Sequence, residues 1–264
     1  MKLAASRGLW RRLFRLSQPS VARLLVDEAA ELAACSASRS HVGKVRAINE
    51  DRLLECSREG IWAIADGMGG HSAGDIAAET AITALRALAN QERPVTVPQV
   101  KEALCQANAR LRWNVAEGAA VSGATVVALV MAGNRATIFW VGDCRAYRFR
   151  DGRLEQLTRD HSVVQELVES GALTPERASH HPQSHVVTRA LGAKDDLNVD
   201  HVKFEVRAGD VFLLSSDGLC CSGQDLAATM ARHEALEDMA AALLAEALVQ
   251  GGRDNISLVL VRAE

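Results

Sequence analysis

"ATVVALVMAGNRATIFWVGD", residues 124–143, sets two apolar runs rich in β-branched and aromatic residues on either side of a Gly133-Asn134 pair. Such runs around a glycine turn predict two antiparallel strands. The second run ends on Gly142-Asp143, so a carboxylate stands just past a strand. Upstream, "DRLLECS", a turn at "REG" and "IWAIAD" predict a hairpin that starts on Asp51 and ends on Asp66. Downstream, "RAYRFR", an Asp151-Gly152 turn and "RLEQLT" extend the 124–143 pair into a predicted four-strand meander. "HVKFEVRAGDVFLLSSDG" adds two strands around Ala208-Gly209, and "DNISLVLVRAE" closes the chain as a last strand.

Helices fall between these strands. Ser72 is placed to cap "AGDIAAETAITALRALANQ", while Thr96 and Pro98 open "QVKEALCQANARLRWNVAEG". "HSVVQELVESG" ends at Gly171, residues 172–185 read as a loop-rich flap with three histidines, and further helices run to Gln250. Hairpins interrupted by paired helices predict antiparallel sheets with helices packed outside, an α+β class.

The chain has 264 residues, 48% of them hydrophobic, enough for one catalytic-sized domain with an appendage. Six bases precede the first acid, Asp27, and the net charge of −3 becomes −9 once they are set aside. An acidic body argues against nucleic acid as a partner. Six cysteines without a C-x-x-C pair make the reducing cytosol the expected compartment. Residues 1–40 form a basic N-terminal extension in which "LWRRLFRL" has the pattern of a short amphipathic helix. A solvated, poorly ordered tail is the expected state, with contact to a membrane or a partner as the alternative. Residues 41–264 are expected to form the catalytic domain, working as a monomer.

Asp51 and Asp254 precede strands, whereas Asp66, Asp143 and Asp217 follow them. In an antiparallel sheet the start of one strand lies beside the end of its neighbour, so all five carboxylates can meet on one edge. Glycines at positions 67, 142 and 218 let the backbone turn sharply there or bring a carbonyl close. Five clustered carboxylates would raise one another's pKa values, a conflict that divalent cations resolve. Oxygen ligands without Cys or His favour Mg²⁺ or Mn²⁺. Two such ions sharing a water acidify it for in-line attack on phosphorus. Arg46, five residues before Asp51, is the candidate phosphate clamp.

Eight ordered segments, among them "GKVRAINED" (43–51), "ADGMGGHSAGD" (65–75), "VGDCRAY" (141–147), "LTRDHS" (157–162) and "GGRDNISLVLV" (251–261), resemble the motifs of the metal-dependent protein phosphatases of type 2C, in their bacterial single-domain branch. The resemblance implies a four-layer α-β-β-α sandwich of two antiparallel β-sheets flanked by helices, and hydrolysis of phosphoserine and phosphothreonine in proteins. It implies that Asp66 bridges two core ions, the Gly67 carbonyl holds the second, and Asp217 and Asp254 hold the first. Asp51 and Glu50 act nearby through waters, Asp143 joins Asp217 at a weaker third ion, and Arg46 binds phosphate. It also implies a cognate serine/threonine kinase pathway, with secretion-system signalling among the roles of relatives.

Met68 stands where many eukaryotic relatives carry a histidine, and a thioether has no proton to give. His71 is the nearest candidate general acid, with a water as the other. His161 is read as structural, orienting the loop before the flap. Cys144 replaces the usual serine and is expected to alter only a local hydrogen bond.

Rival chemistries fit less well. Cys144 to Arg150 has the C-x₅-R spacing of cysteine phosphatases, but the residues between alternate like a strand and include no glycine. No G-K-[ST] forms a P-loop. A catalytically silent relative that binds phosphoproteins is the non-enzyme alternative; the presence of Asp66, Asp217 and Asp254 favours the enzyme.

Overall fold

The computed structural model describes residues 33–69, 73–90, 95–118, 120–178, 181–219 and 221–264. Ten strands form two antiparallel sheets. One holds β2 (Asp51–Cys56), β3 (Ile61–Gly69), β4 (Ser122–Ala132), β5 (Arg135–Val141) and β8 (Asp200–Glu205), in that order. The other runs β1 (Ala34–His41), β10 (Ile256–Ala263), β9 (Val211–Ser215), β6 (Arg145–Arg150) and β7 (Arg153–Gln156). Helices α1 (Ala73–Ala89) and α2 (Val97–Ala116) cover the first sheet, and α5 (Gly223–Arg232) and α6 (Leu236–Val249) the second. Two short helices, α3 (Val163–Glu169) and α4 (Pro175–Ala178), lie between β7 and β8.

The apolar runs are continuous because the central strands are buried on both faces. In β3, Ile61, Ala63 and Ala65 pack toward α1 and α2, while Trp62 and Ile64 pack into the layer between the sheets. β10 divides the same way: Ile256, Leu258 and Leu260 face α5 and α6, and Val259 and Val261 face the first sheet. Three apolar layers thus alternate with four layers of secondary structure, which is the expected sandwich. The helix over β3 and β4 presents Ala77, Ala78 and Ala81 to Ala63, Ala65 and Ala128, and these small side chains permit a close helix–sheet approach.

Two expectations change. The meander is broken: β4 and β5 belong to one sheet and β6 and β7 to the other, with the crossover at Gly142-Asp143. Gly142 takes φ +102°, left-handed backbone that glycine adopts at little cost, so the chain reverses between sheets rather than within one. β8 and β9 likewise sit in different sheets. The extension expected over residues 1–40 gives up its last residues to the fold, since β1 pairs along its whole length with β10, from Ala34 opposite Ala263 to His41 opposite Ile256. Residues 1–32 and the expected cap Ser72 lie outside the described residues. At α2 the expected cap is present, with Gln99 accepting the Thr96 backbone N–H at 2.8 Å. No helix among the described residues is long and apolar enough to cross a membrane.

Candidate active site

Antiparallel pairing brings the expected strand ends together. Asp51 opens β2 directly opposite Asp66 in β3, and β3 runs on to Gly69, so Asp66 lies within its strand rather than after it. In the other sheet the end of β9 lies beside the start of β10, which puts Asp217 and Asp254 on the same edge, and Asp143 occupies the crossover between the sheets. Arg46, Glu50, Asp66, Gly67, Asp143, Asp217 and Asp254 all line one cavity of about 210 Å³. Asp51 lies beneath it, 3% exposed. His71 lies outside the described residues.

Gly67 is required by close approach. A Cβ there would stand 2.0 Å from the Gly74 carbonyl oxygen, because the first turn of α1 packs against the backbone of β3. Gly218 is similarly closed in: a Cβ there would stand 1.9 Å from the Asn255 carbonyl oxygen.

The carboxylates repel one another here. Burial, reinforced by Asp51, Asp217, Asp143 and Asp254, holds the Asp66 pKa well above the ordinary carboxylate range. Burial and then Asp217 push Asp143 up to about 7. Asp51 is raised to about 6 by burial, against hydrogen bonds from Ser257 and Ser216. Asp217 is raised by burial and Asp254, and a hydrogen bond with Asp66 opposes the rise. Among the described residues no three acidic, histidine or cysteine side chains close around a single point as a ready ligand shell. Instead Asp66 and Asp217 share a hydrogen bond, and Arg46 donates to Asp254 Oδ2 at 2.7 Å. Two buried side-chain oxygens have no hydrogen-bond partner among the described residues, Thr188 Oγ1 and, at the site, Asp51 Oδ1, whose sister oxygen accepts from Ser216 Oγ at 2.9 Å. An orphaned carboxylate oxygen within an all-oxygen cluster fits a hard cation or one of its waters.

Sequence reasoning missed Asn255. Only 6% exposed, it accepts from the Glu50 N–H at 2.9 Å and donates to the carbonyls of Val42 and Ile48, each at 2.9 Å. The Arg46 loop is thereby tied to the Asp254 turn. Its place after Asp254 was visible, but partners more than 200 positions away were not. His185, left in the flap without a role, lines the cavity together with Val187 and Met68.

His161 has the structural place expected of it. Its Nδ1 accepts from the Gly142 N–H at 3.1 Å, its backbone N–H donates to the Gly142 carbonyl at 2.9 Å, and its Nε2 lies 3.1 Å from Asp200 Oδ2. An accepting Nδ1 makes the ring neutral with its proton on Nε2, and burial lowers its pKa accordingly. Cys144 is 1% exposed and pairs with Thr125 Oγ1 at 3.1 Å. Burial drives its thiol pKa well up, the opposite of what a cysteine nucleophile needs, and Arg150 pairs instead with Asp210.

Comparison with known proteins gives the same reading. Residues 37–251 match the family described as Protein phosphatase 2C. The chain is 38% identical over 234 residues to the serine/threonine protein phosphatase PstP of Mycobacterium tuberculosis, a match that covers 85% of this chain and 44% of that protein. It therefore spans less than half the length of that relative. The solved catalytic domain of PstP in complex with two manganese ions is 34% identical and superposes with a TM-score of 0.81 over 88% of this chain and 99% of that one. PppA, a key regulatory component of the T6SS in Pseudomonas aeruginosa, is 38% identical, with a TM-score of 0.79 over 88% of this chain and 98% of its own. With the match running through most of the sandwich and every cavity-lining carboxylate except Asp254, this chain belongs to the protein phosphatase 2C family.

Proposed function

We propose that this chain hydrolyses phosphoserine and phosphothreonine monoesters in proteins, using Mn²⁺ or Mg²⁺ held by its carboxylates. The observation that carries the reading is the meeting of carboxylates from both sheets at one cavity that also holds Arg46. Asp66 and the Gly67 carbonyl would hold two core ions with Asp217 and Asp254, Asp51 and Glu50 would act through waters, and Asp143 with Asp217 would take a weaker third. Cations bound there supply positive charge and an acidified water.

The chain's own groups do the rest. Ser216 and Ser257 hold Asp51 in place beneath the cavity. Arg46 is 55% exposed in its side chain and bonded to one oxygen, so its guanidinium is free to turn toward a phosphoryl group and bind it bidentately. The leaving alkoxide needs a proton, which Met68 lacks; His71 is the proposed donor. In the cell we propose opposition to a serine/threonine kinase, and the likeness to PppA supports a secretion-system pathway.

The test is Mn²⁺-dependent hydrolysis of p-nitrophenyl phosphate, lost on chelation and in Asp217→Asn. Undiminished turnover in that variant would refute the metal assignment.

A further inference from the structure

Three exposed apolar side chains stand on the segments that reach the cavity. Val45 is 70% exposed and Ile48 51%, one on each side of Arg46. Val186, 43% exposed, lies between His185 and Val187, both of which line the cavity. Aliphatic side chains of this size gain by leaving water, so their display beside a charged cavity marks a contact surface. Their backbones are pinned. Asn255 holds the carbonyls of Val42 and Ile48, the Val186 carbonyl accepts from the Val163 N–H at 2.9 Å, and Val187 bridges to Ser162.

The occupant follows from the substrate. A phosphoresidue within a protein arrives with chain on both sides, each residue advancing about 3.3–3.6 Å. With the phosphate in the cavity, the neighbouring one or two residues pass over its edge, where Arg46, His185 and Val187 form part of the lining. Resting on the phosphatase reading above, we propose that the Val45, Ile48 and Val186 rim selects substrates with apolar side chains within two positions of the phosphoresidue.

Paired phosphothreonine peptides that differ only in those flanking positions, leucine and valine against glutamine and serine, test it on the full chain with Mn²⁺. Covering a few half-exposed aliphatic groups is worth about tenfold in kcat/KM for the apolar peptide, carried in KM. The ratio should fall toward one in Val45→Gln, Ile48→Gln and Val186→Gln, made singly and together, with Tm confirming the fold of each. Equal kcat/KM for the two peptides in the wild type, or a ratio that survives in the folded variants, overturns the proposal. So does sedimentation that finds a wild-type dimer and a monomeric triple variant, which would make the rim a contact between copies. Turnover of p-nitrophenyl phosphate without flank preference removes this proposal alone. Failure to turn over p-nitrophenyl phosphate removes the phosphatase reading as well.

Discussion

Replacing Asn255 with alanine removes three hydrogen bonds at once, those to Glu50 N, Val42 O and Ile48 O. Each is worth about 1 kcal/mol net, and a buried partner left unpaired costs about 1–3 kcal/mol. Ile48 is 51% exposed, so water can reach its carbonyl, which keeps the total near the low end, about 3 kcal/mol. For a domain of this size that corresponds to a Tm lower by about 6–12 °C if the whole fold senses the loss. The damage should nonetheless be concentrated in the Arg46 loop, whose remaining ties include Lys44 N–H to the Gly252 carbonyl at 2.7 Å and Gly67 N–H to the Glu50 carbonyl at 3.3 Å. Limited trypsin digestion reads this directly, because Lys44 and Arg46 are exposed on that loop. Cleavage there should accelerate ahead of cleavage elsewhere, and kcat/KM for p-nitrophenyl phosphate should fall about 10–100-fold as Arg46 loses its alignment. Asn255→Asp is the sharper companion, since it keeps the shape and the acceptor but loses both donated bonds and sets a second carboxylate beside Asp254. An alanine variant with wild-type Tm, digestion pattern and turnover would refute the clasp.

Gly67→Ala should abolish soluble, metal-responsive protein, because the added methyl meets the Gly74 carbonyl oxygen at 2.0 Å; a soluble variant with normal Mn²⁺ binding in calorimetry would contradict the packing. In chelated protein, Asp51 at about 6 and Asp143 at about 7 lie above their unfolded value of 3.8. Their contribution is fully present below that value and is gone once pH has risen through 6 to 7, so Tm should fall between about pH 4 and 7 and Mn²⁺ should remove the fall; a flat chelated profile would count against the buried cluster. His161→Ala should cost about 2 kcal/mol for the lost Gly142 and Asp200 bonds and should weaken a low-affinity Mn²⁺ site more than the tight ones, as read by calorimetric titration. If His71 donates the leaving-group proton, His71→Gln should slow phosphopeptides far more than p-nitrophenyl phosphate, whose leaving group needs no proton; the same split in His185→Gln instead would move that role to the flap.

Most of the strands were legible because burial on both faces demands continuous apolar runs, as in "IWAIA" and "SLVLV". β1 was hidden by the same logic, since "ACSASRSH" lies at a sheet edge and contributes little to the core beyond Ala37, which leaves it too polar to stand out. The division of 124–156 between two sheets was equally invisible, because hairpin signals specify neighbours along the chain and not which layer a strand joins.

For the site, the amino-acid sequence by itself determined the kinds of ligand and their places at strand ends: aspartates beside glycines, with an arginine nearby. That follows from local chemistry and period-two burial. Only the tertiary structure decided that Asp51 faces Asp66, that Arg46 reaches Asp254, and that Asn255 ties the two loops together. Those contacts join residues up to 213 positions apart, and pairing across sheets is settled by packing rather than by anything the local sequence can express.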